Sequence, residues 1–259
     1  MYSKIALSIG GSDSGGGAGI QADLRTFMAL KVHGCSVITC ITAQNSIEVN
    51  CVEAVEKNTL ISQLDTLFCD FGIDALKTGM LFNESIIKNT AAKLNTYKKS
   101  KIIDPVMVTR TGSKLLEDSS IDAYKKLLLP LADLLTPNIF EANLISGVEI
   151  KSKEDIESAA RNIIGMGAKA VLIKGGGLKD MKGKDFFLDL NGRKEWIFND
   201  FINTKNTHGS GCTLSAAICG YKALGLELLD SIKKAKLFVE KSLENSYKIG
   251  SGPGPLGHH

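Results

Sequence analysis

Short apolar runs alternate with amphipathic stretches along most of this chain, and that alternation limits its fold more than any other feature. Residues 4–10, 35–43, 74–80, 101–107, 133–138 and 168–176 read as buried strands. Between them, 18–32, 59–71, 84–99, 119–132 and 152–167 carry the three-to-four residue period of helices lying on a core. A strand, a helix and a further strand in regular succession make parallel crossovers. The pattern therefore predicts an α/β fold with a mostly parallel central sheet and helices on both faces. After Gly177 the pattern changes: 184–200 holds two strand-like runs about Asn191-Gly192, the signature of a tight hairpin. Two more helices are predicted, from about Gly211 and about Leu228. No repeat or linker interrupts the 259 residues, so 1–259 is expected to form a single domain.

Composition narrows the partners. The 31 Lys and Arg against 28 Asp and Glu give a net charge of +3, spread along the chain without the dense basic clusters of a nucleic-acid footprint. A small molecule is the expected partner. Six cysteines occur without a CxxC pair in a chain far larger than a disulfide scaffold, so reduced thiols and a cytoplasmic location are expected. The opening "MYSKIALSIG" suits a first strand and neither a signal peptide nor a membrane span.

In a sheet of this kind ligands bind beyond the carboxyl ends of the strands. The first strand runs into "GGSDSGGGAGIQADL", where Gly17, Gly19 and Ala22 match the dinucleotide fingerprint in form. The match is weak, because the acid expected about 20 residues later to hold a ribose is missing from "CSVITCIT". No Walker P-loop is present either. The glycines read either as a tight strand-to-helix turn or as bare backbone for a ligand, with Asp23 and Gln44 near strand ends to hydrogen-bond it. Asp104 stands where an apolar strand stops at Pro105, as a Mg²⁺ ligand or as a turn aspartate. Asn138 and Glu141 follow the next strand at the spacing of a capping box, which is compatible with a metal shell. Lys174 ends another strand before three glycines and suits a phosphate-facing edge, or is a solvated lysine before a loop.

The most unusual stretch is "THGSGCTLSAA". Gly209, Ser210 and Gly211 precede an apolar helix, so free N–H groups and the helix dipole form an anion site. A thiol in that field is expected to have a lowered pKa, which makes Cys212 a candidate nucleophile or base, beside its reading as a small buried residue. The other five cysteines, in apolar strands or helices, read as structural.

Taken in order, "GGSDSGGGAGIQADL", "TAQNS", "KTGM", "DPVM", "TPNIFEA", "KGGG" and "NTHGSGCTLSAA" resemble the hydroxymethylpyrimidine/phosphomethylpyrimidine kinases of thiamine biosynthesis over essentially the whole chain. The resemblance implies a three-layer α/β/α ribokinase-like fold, ATP and Mg²⁺ as cofactors, an aminopyrimidine substrate and a homodimer. It implies that Gly11, Asp23, Gln44, Met80 and Val106 surround the aminopyrimidine, with Gln44 on its polar edge and Met80 against the ring. Asp104 and Glu141 become the Mg²⁺ and water-shell acids, Asn138 and Lys174 the triphosphate contacts, and Thr207 a contact near the nucleotide. The amides of Gly209, Ser210, Gly211 and Cys212 become the anion hole, and Cys212 the base. Gly177 departs from the KGGH of many relatives, and Ser210 replaces the commoner threonine without altering the backbone amides. A pyridoxine/pyridoxal kinase shares the scaffold and is the nearest alternative. A dinucleotide-binding oxidoreductase is the more distant one.

Overall fold

A computed structural model describes residues 4–107, 116 and 118–259. In chain order the elements are β1 (Ile5–Asp13), α1 (Gly19–Ala29), β2 (His33–Gln44), β3 (Val49–Ala54), α2 (Lys57–Asp70), β4 (Ala75–Thr78), α3 (Glu84–Thr96), β5 (Ser100–Ile103), α4 (Asp118–Ala123), β6 (Leu134–Leu135), α5 (Ile139–Ser146), α6 (Lys153–Gly165), β7 (Ala170–Lys174), β8 (Lys184–Asp189), β9 (Lys194–Phe198), α7 (Ser210–Ala223) and α8 (Leu228–Glu244). The strands form one sheet in the order β3-β2-β1-β4-β5-β6-β7-β8-β9. The run from β2 to β7 is parallel, and β3 at one edge and β8-β9 at the other are antiparallel.

Alternation along each strand divides the core into two layers. Leu7, Ile9, Leu76, Ile103, Leu135 and Val171 face one way and pack with buried residues of α2 to α6. Their neighbours Ala6, Ala75, Ile102, Leu134, Ala170 and Leu172 face the other way, toward α1, α7 and α8. The second layer is rich in alanine, including Ala216 and Ala217 of α7, which brings that helix close to the sheet. The three-layer α/β/α architecture is the one expected.

Three local differences have physical reasons. No strand is expected between 43 and 59, yet β3 pairs with β2 there. Four of its six residues are exposed and none is buried, and it forms the sheet's edge, so it lacks the apolar pattern of a buried strand. The helix expected over 119–132 starts at Asp118 and widens to a π turn at Tyr124–Leu128, then tightens at Leu129–Leu131. Pro130, which has no N–H to give the helix, lies in that last turn. The hairpin turns at Asn191-Gly192 as expected, but through a wider loop over 190–193 in which Asp189 accepts the Asn191 and Arg193 amides.

Candidate active site

Chain order reverses across β1 and β4: β2 lies on one side of β1 and β4 on the other, which opens a crevice at their carboxyl ends. Asp104, just past β5, sits in that row and is 3% exposed. Its Oδ1 accepts hydrogen bonds from Thr136 Oγ1 at 3.0 Å and Lys174 Nζ at 3.1 Å, and its Oδ2 accepts one from Ser215 Oγ at 3.0 Å. The ends of β5, β6 and β7 and the first turns of α7 are thereby tied to one carboxylate. Burial opposes the Lys174 charge, but Asp104 and Glu141 outweigh it and lift the lysine pKa. A Cβ added at Gly211 would lie 3.5 Å from Lys174 Nζ, so the ammonium faces the opening turn of α7.

Asn138 caps α5 in the expected capping box: its side chain accepts the Glu141 amide at 3.0 Å, and its own amide donates to Glu141 Oε2 at 2.8 Å. Among the described residues Glu141 Oε1 is engaged by the Met107 amide at 3.4 Å. Burial pushes the Glu141 carboxyl up to about 7, against the pull of Lys174 and helped by the nearby Asp104.

The stretch 207–212 folds into a tight turn that opens α7, and of the four amides expected to face an anion the Ser210 amide is turned inward. Gly209 takes a left-handed conformation with φ of 82°, and α7 starts without a side-chain cap and with no acid in its first turn. The Ser210 amide goes to the Thr207 carbonyl at 3.2 Å and the Thr213 amide to the Gly209 carbonyl at 2.8 Å. Among the described residues nothing accepts the Gly211 and Cys212 amides. A Cβ at Gly209 would lie 1.9 Å from the Gly17 carbonyl oxygen, so the glycine-rich loop after β1 presses on this turn.

The expected lowering of the Cys212 pKa is not found. Burial pushes the thiol up to about 11; Lys77 and the Gly19 amide pull it down, while Asp23 and Asp104 push it further up. A helix N-terminus is outweighed here by desolvation and two carboxylates. All six cysteines are free; Cys51 and Cys69 are exposed, which corrects the expectation that they are buried structural residues.

Gly11 is buried at the end of β1, where a Cβ would meet Cys40 Sγ at 2.8 Å and Met80 Cβ at 3.7 Å. Met80 is partly exposed beside it, and Val106, past the end of β5, is partly exposed too. Gln44 ends β2, its Nε2 at 3.4 Å from His208 Nε2. Asp23 instead lies beneath the floor, 1% exposed. Both its oxygens are 3.0 Å from Lys77 Nζ, and Ser8 donates to it at 2.5 Å. Lys77 itself is fully buried; burial opposes its charge, and Asp23, Cys212 and Asp104 hold it charged. Thr207 is partly buried ahead of the turn.

Lys77, Thr136, Ser215, Asp13 and His208 join the candidate site through side-chain hydrogen bonds that the motifs alone do not single out. Asp13 also answers the dinucleotide reading. Its carboxylate accepts the Gly15, Gly17 and Ala18 amides at 2.8, 3.1 and 2.8 Å, the amides a pyrophosphate would need. Among the described residues no helix is long and apolar enough to cross a membrane.

The phosphomethylpyrimidine kinase family profile matches residues 13–257. A hydroxymethylpyrimidine/phosphomethylpyrimidine kinase of Synechococcus elongatus is 49% identical over 260 residues, covering 100% of this chain and 98% of its own. The phosphomethylpyrimidine kinase structure from Clostridium difficile is similar at 37% identity and a TM-score of 0.84, covering 93% of this chain and 99% of its own. Pyridoxal kinase from Staphylococcus aureus, solved with AMP-PCP and pyridoxal, is similar at 35% identity and a TM-score of 0.90, covering 98% and 93%.

Proposed function

The chain belongs to the phosphomethylpyrimidine kinase family, and from that membership we propose how its residues divide the reaction between them. It is a ribokinase-like, ATP-dependent phosphotransferase of thiamine biosynthesis. It phosphorylates 4-amino-5-hydroxymethyl-2-methylpyrimidine and then the monophosphate. Phosphoryl transfer asks a protein chiefly to align the reactants and to stabilise charge on the transferred group. One observation carries the assignment of roles: unpaired amides at the start of α7, the Lys174 ammonium and the Cys212 thiol converge beyond the carboxyl ends of β1, β4, β5 and β7.

In this reading the open Gly211 and Cys212 amides stabilise the phosphoryl oxygens, Gly209 and Ser210 shape the turn that presents them, with the Ser210 amide spent on the Thr207 carbonyl, and Lys174 and Asn138 hold the triphosphate, with Thr207 near the nucleotide. Cys212 removes the proton from the substrate hydroxymethyl, then from the monophosphate in the second round. With its pKa near 11 the thiol is protonated in the resting enzyme, and Lys77 and the Gly19 amide supply the stabilisation that its thiolate needs. Asp23 contributes through Lys77, which it holds in place. Gln44 faces the polar edge of the pyrimidine, Met80 packs on the ring, and Gly11 and Val106 complete its walls.

Mg²⁺ suits two carboxylates beside phosphate and water. Asp104 and Glu141 are such a pair, and burial, which raises the Glu141 carboxyl to about 7, would be offset by a divalent ion held between them. The ion would offset charge on the triphosphate there. The same reading makes 1–259 one cytoplasmic kinase domain and gives it a homodimer, for which the exposed Ile41, Ile47 and Val49 about the β2–β3 edge offer an apolar surface.

Steady-state kinetics with ATP and either the aminopyrimidine or pyridoxal test the substrate assignment. The pyrimidine is expected to be turned over to the pyrophosphate; turnover of pyridoxal alone would contradict it.

A further inference from the structure

The glycine-rich loop and the Cys212 turn come from opposite ends of the chain, yet they are packed without room for a side chain between them. A Cβ at Gly209 would strike the Gly17 carbonyl oxygen at 1.9 Å, and one at Gly17 would strike His208 Cδ2 at 2.4 Å. One carboxylate joins the two segments. Asp13, 4% exposed at the end of β1, gathers the Gly15, Gly17 and Ala18 amides and faces His208 Nε2 at 2.9 Å through Oδ2. His208 is the residue immediately before Gly209, and its backbone amide is itself fixed by the Gly254 carbonyl at 3.1 Å. On the far side of the loop, the Gly19 amide is near enough to Cys212 to pull its pKa down.

We propose that Asp13 and His208 are positioning residues for phosphoryl transfer. The Asp13–His208 bond locks the β1–α1 loop onto the turn before α7, and so sets the Gly211 and Cys212 amides and the Gly19 amide on a common centre. Neither side chain touches the phosphoryl group. The Asp13 oxygens are consumed by four donors, so its role is to hold two backbones in register. His208 Nε2 must donate to this carboxylate, and that leaves it no lone pair for the Gln44 Nε2 at 3.4 Å; the Gln44 amide protons stay available to substrate.

The inference rests on Cys212 and its turn being the transfer centre. It is tested with His208→Ala and His208→Gln in the full-length enzyme, where glutamine places an N–H donor near the imidazole Nε2. His208 is 29% exposed, so both variants are expected to fold. His208→Ala is expected to lower kcat by about 10- to 100-fold with little change in either KM, because amides about an ångström out of place lose their hold on the transition state. His208→Gln is expected to recover kcat to within about 3-fold of wild type, and adding Asp13→Asn to His208→Ala to lower it little further. Unchanged kcat in His208→Ala, no rescue by glutamine, or independent effects of the two substitutions would overturn the proposal. If the double variant fails to fold, the alanine and glutamine pair still decides. Full activity in Cys212→Ala would instead remove the transfer-centre reading on which this one rests.

Discussion

Replacing Gly209 by alanine probes the anion turn with a single methyl group. At φ of 82° a side chain costs about 1–2 kcal/mol before it touches anything. The new Cβ would then lie 1.9 Å from the Gly17 carbonyl oxygen, 2.9 Å from its carbon and 3.2 Å from Ala18 Cα, all backbone atoms that no rotamer change can remove. Relief to ordinary contact needs about 1 Å of movement between loop and turn, at a further cost of about 1–3 kcal/mol of the kind seen when packed structure is overfilled. Gly209→Ala is therefore expected to lose about 2–5 kcal/mol of stability in urea unfolding. A displacement of that size at the hole is expected to lower kcat about 100-fold, and up to about 1000-fold if one amide is lost outright. Gly165→Ala is the control: nothing lies within 4 Å of its new methyl, and it sits at the end of α6, so activity should be retained. A Gly209→Ala enzyme that folds and keeps kcat within about 3-fold of wild type would refute the argument that this turn carries the charge of the reaction.

Three other outcomes follow from the buried charges. Glu141 is raised from its ordinary 4.5 to about 7, so in the metal-free protein its stabilising contribution is full below about 4.5 and is lost as pH rises through about 7; Glu141→Gln should flatten that part of the melting-temperature profile, and an unchanged profile would contradict the shift. Lys77→Met strands the Asp23 carboxylate and should cost about 3–5 kcal/mol in chemical denaturation, much of it recovered when Asp23→Leu is added; a Lys77→Met protein as stable as wild type would show that the pair is not a buried one. With Cys212 acting as base from about 11, the rate of the chemical step should rise with pH from 7 to 9, and a flat profile would be inconsistent with that role.

Much of the site was legible because each strand end announces itself. Asp104 before Pro105, Asn138 three residues from Glu141, Lys174 before its glycines and Cys212 behind Gly209 and Gly211 are local patterns, and local chemistry produces them. Lys77 and Asp23 are 54 residues apart, and Asp13 and His208 are 195 apart, so neither pairing leaves a trace in any window of sequence. The Cys212 shift runs against its sequence expectation for a related reason. The helix N-terminus that favours a thiolate is a neighbour in sequence, whereas Asp23, Asp104 and the packed floor that disfavour it arrive through the fold. In the fold, β3 escaped because an edge strand need not alternate, and the π turn at Tyr124–Leu128 escaped because one extra residue per turn hardly alters an apolar period.

Single-turnover phosphoryl transfer from ATP to the aminopyrimidine by Cys212→Ala tests the central claim most directly. The claim predicts that the chemical step falls by about 100- to 10,000-fold, the range of a lost general base, while ATP binds as it does to the wild type. A rate within about 3-fold of wild type would show that this thiol is not the base.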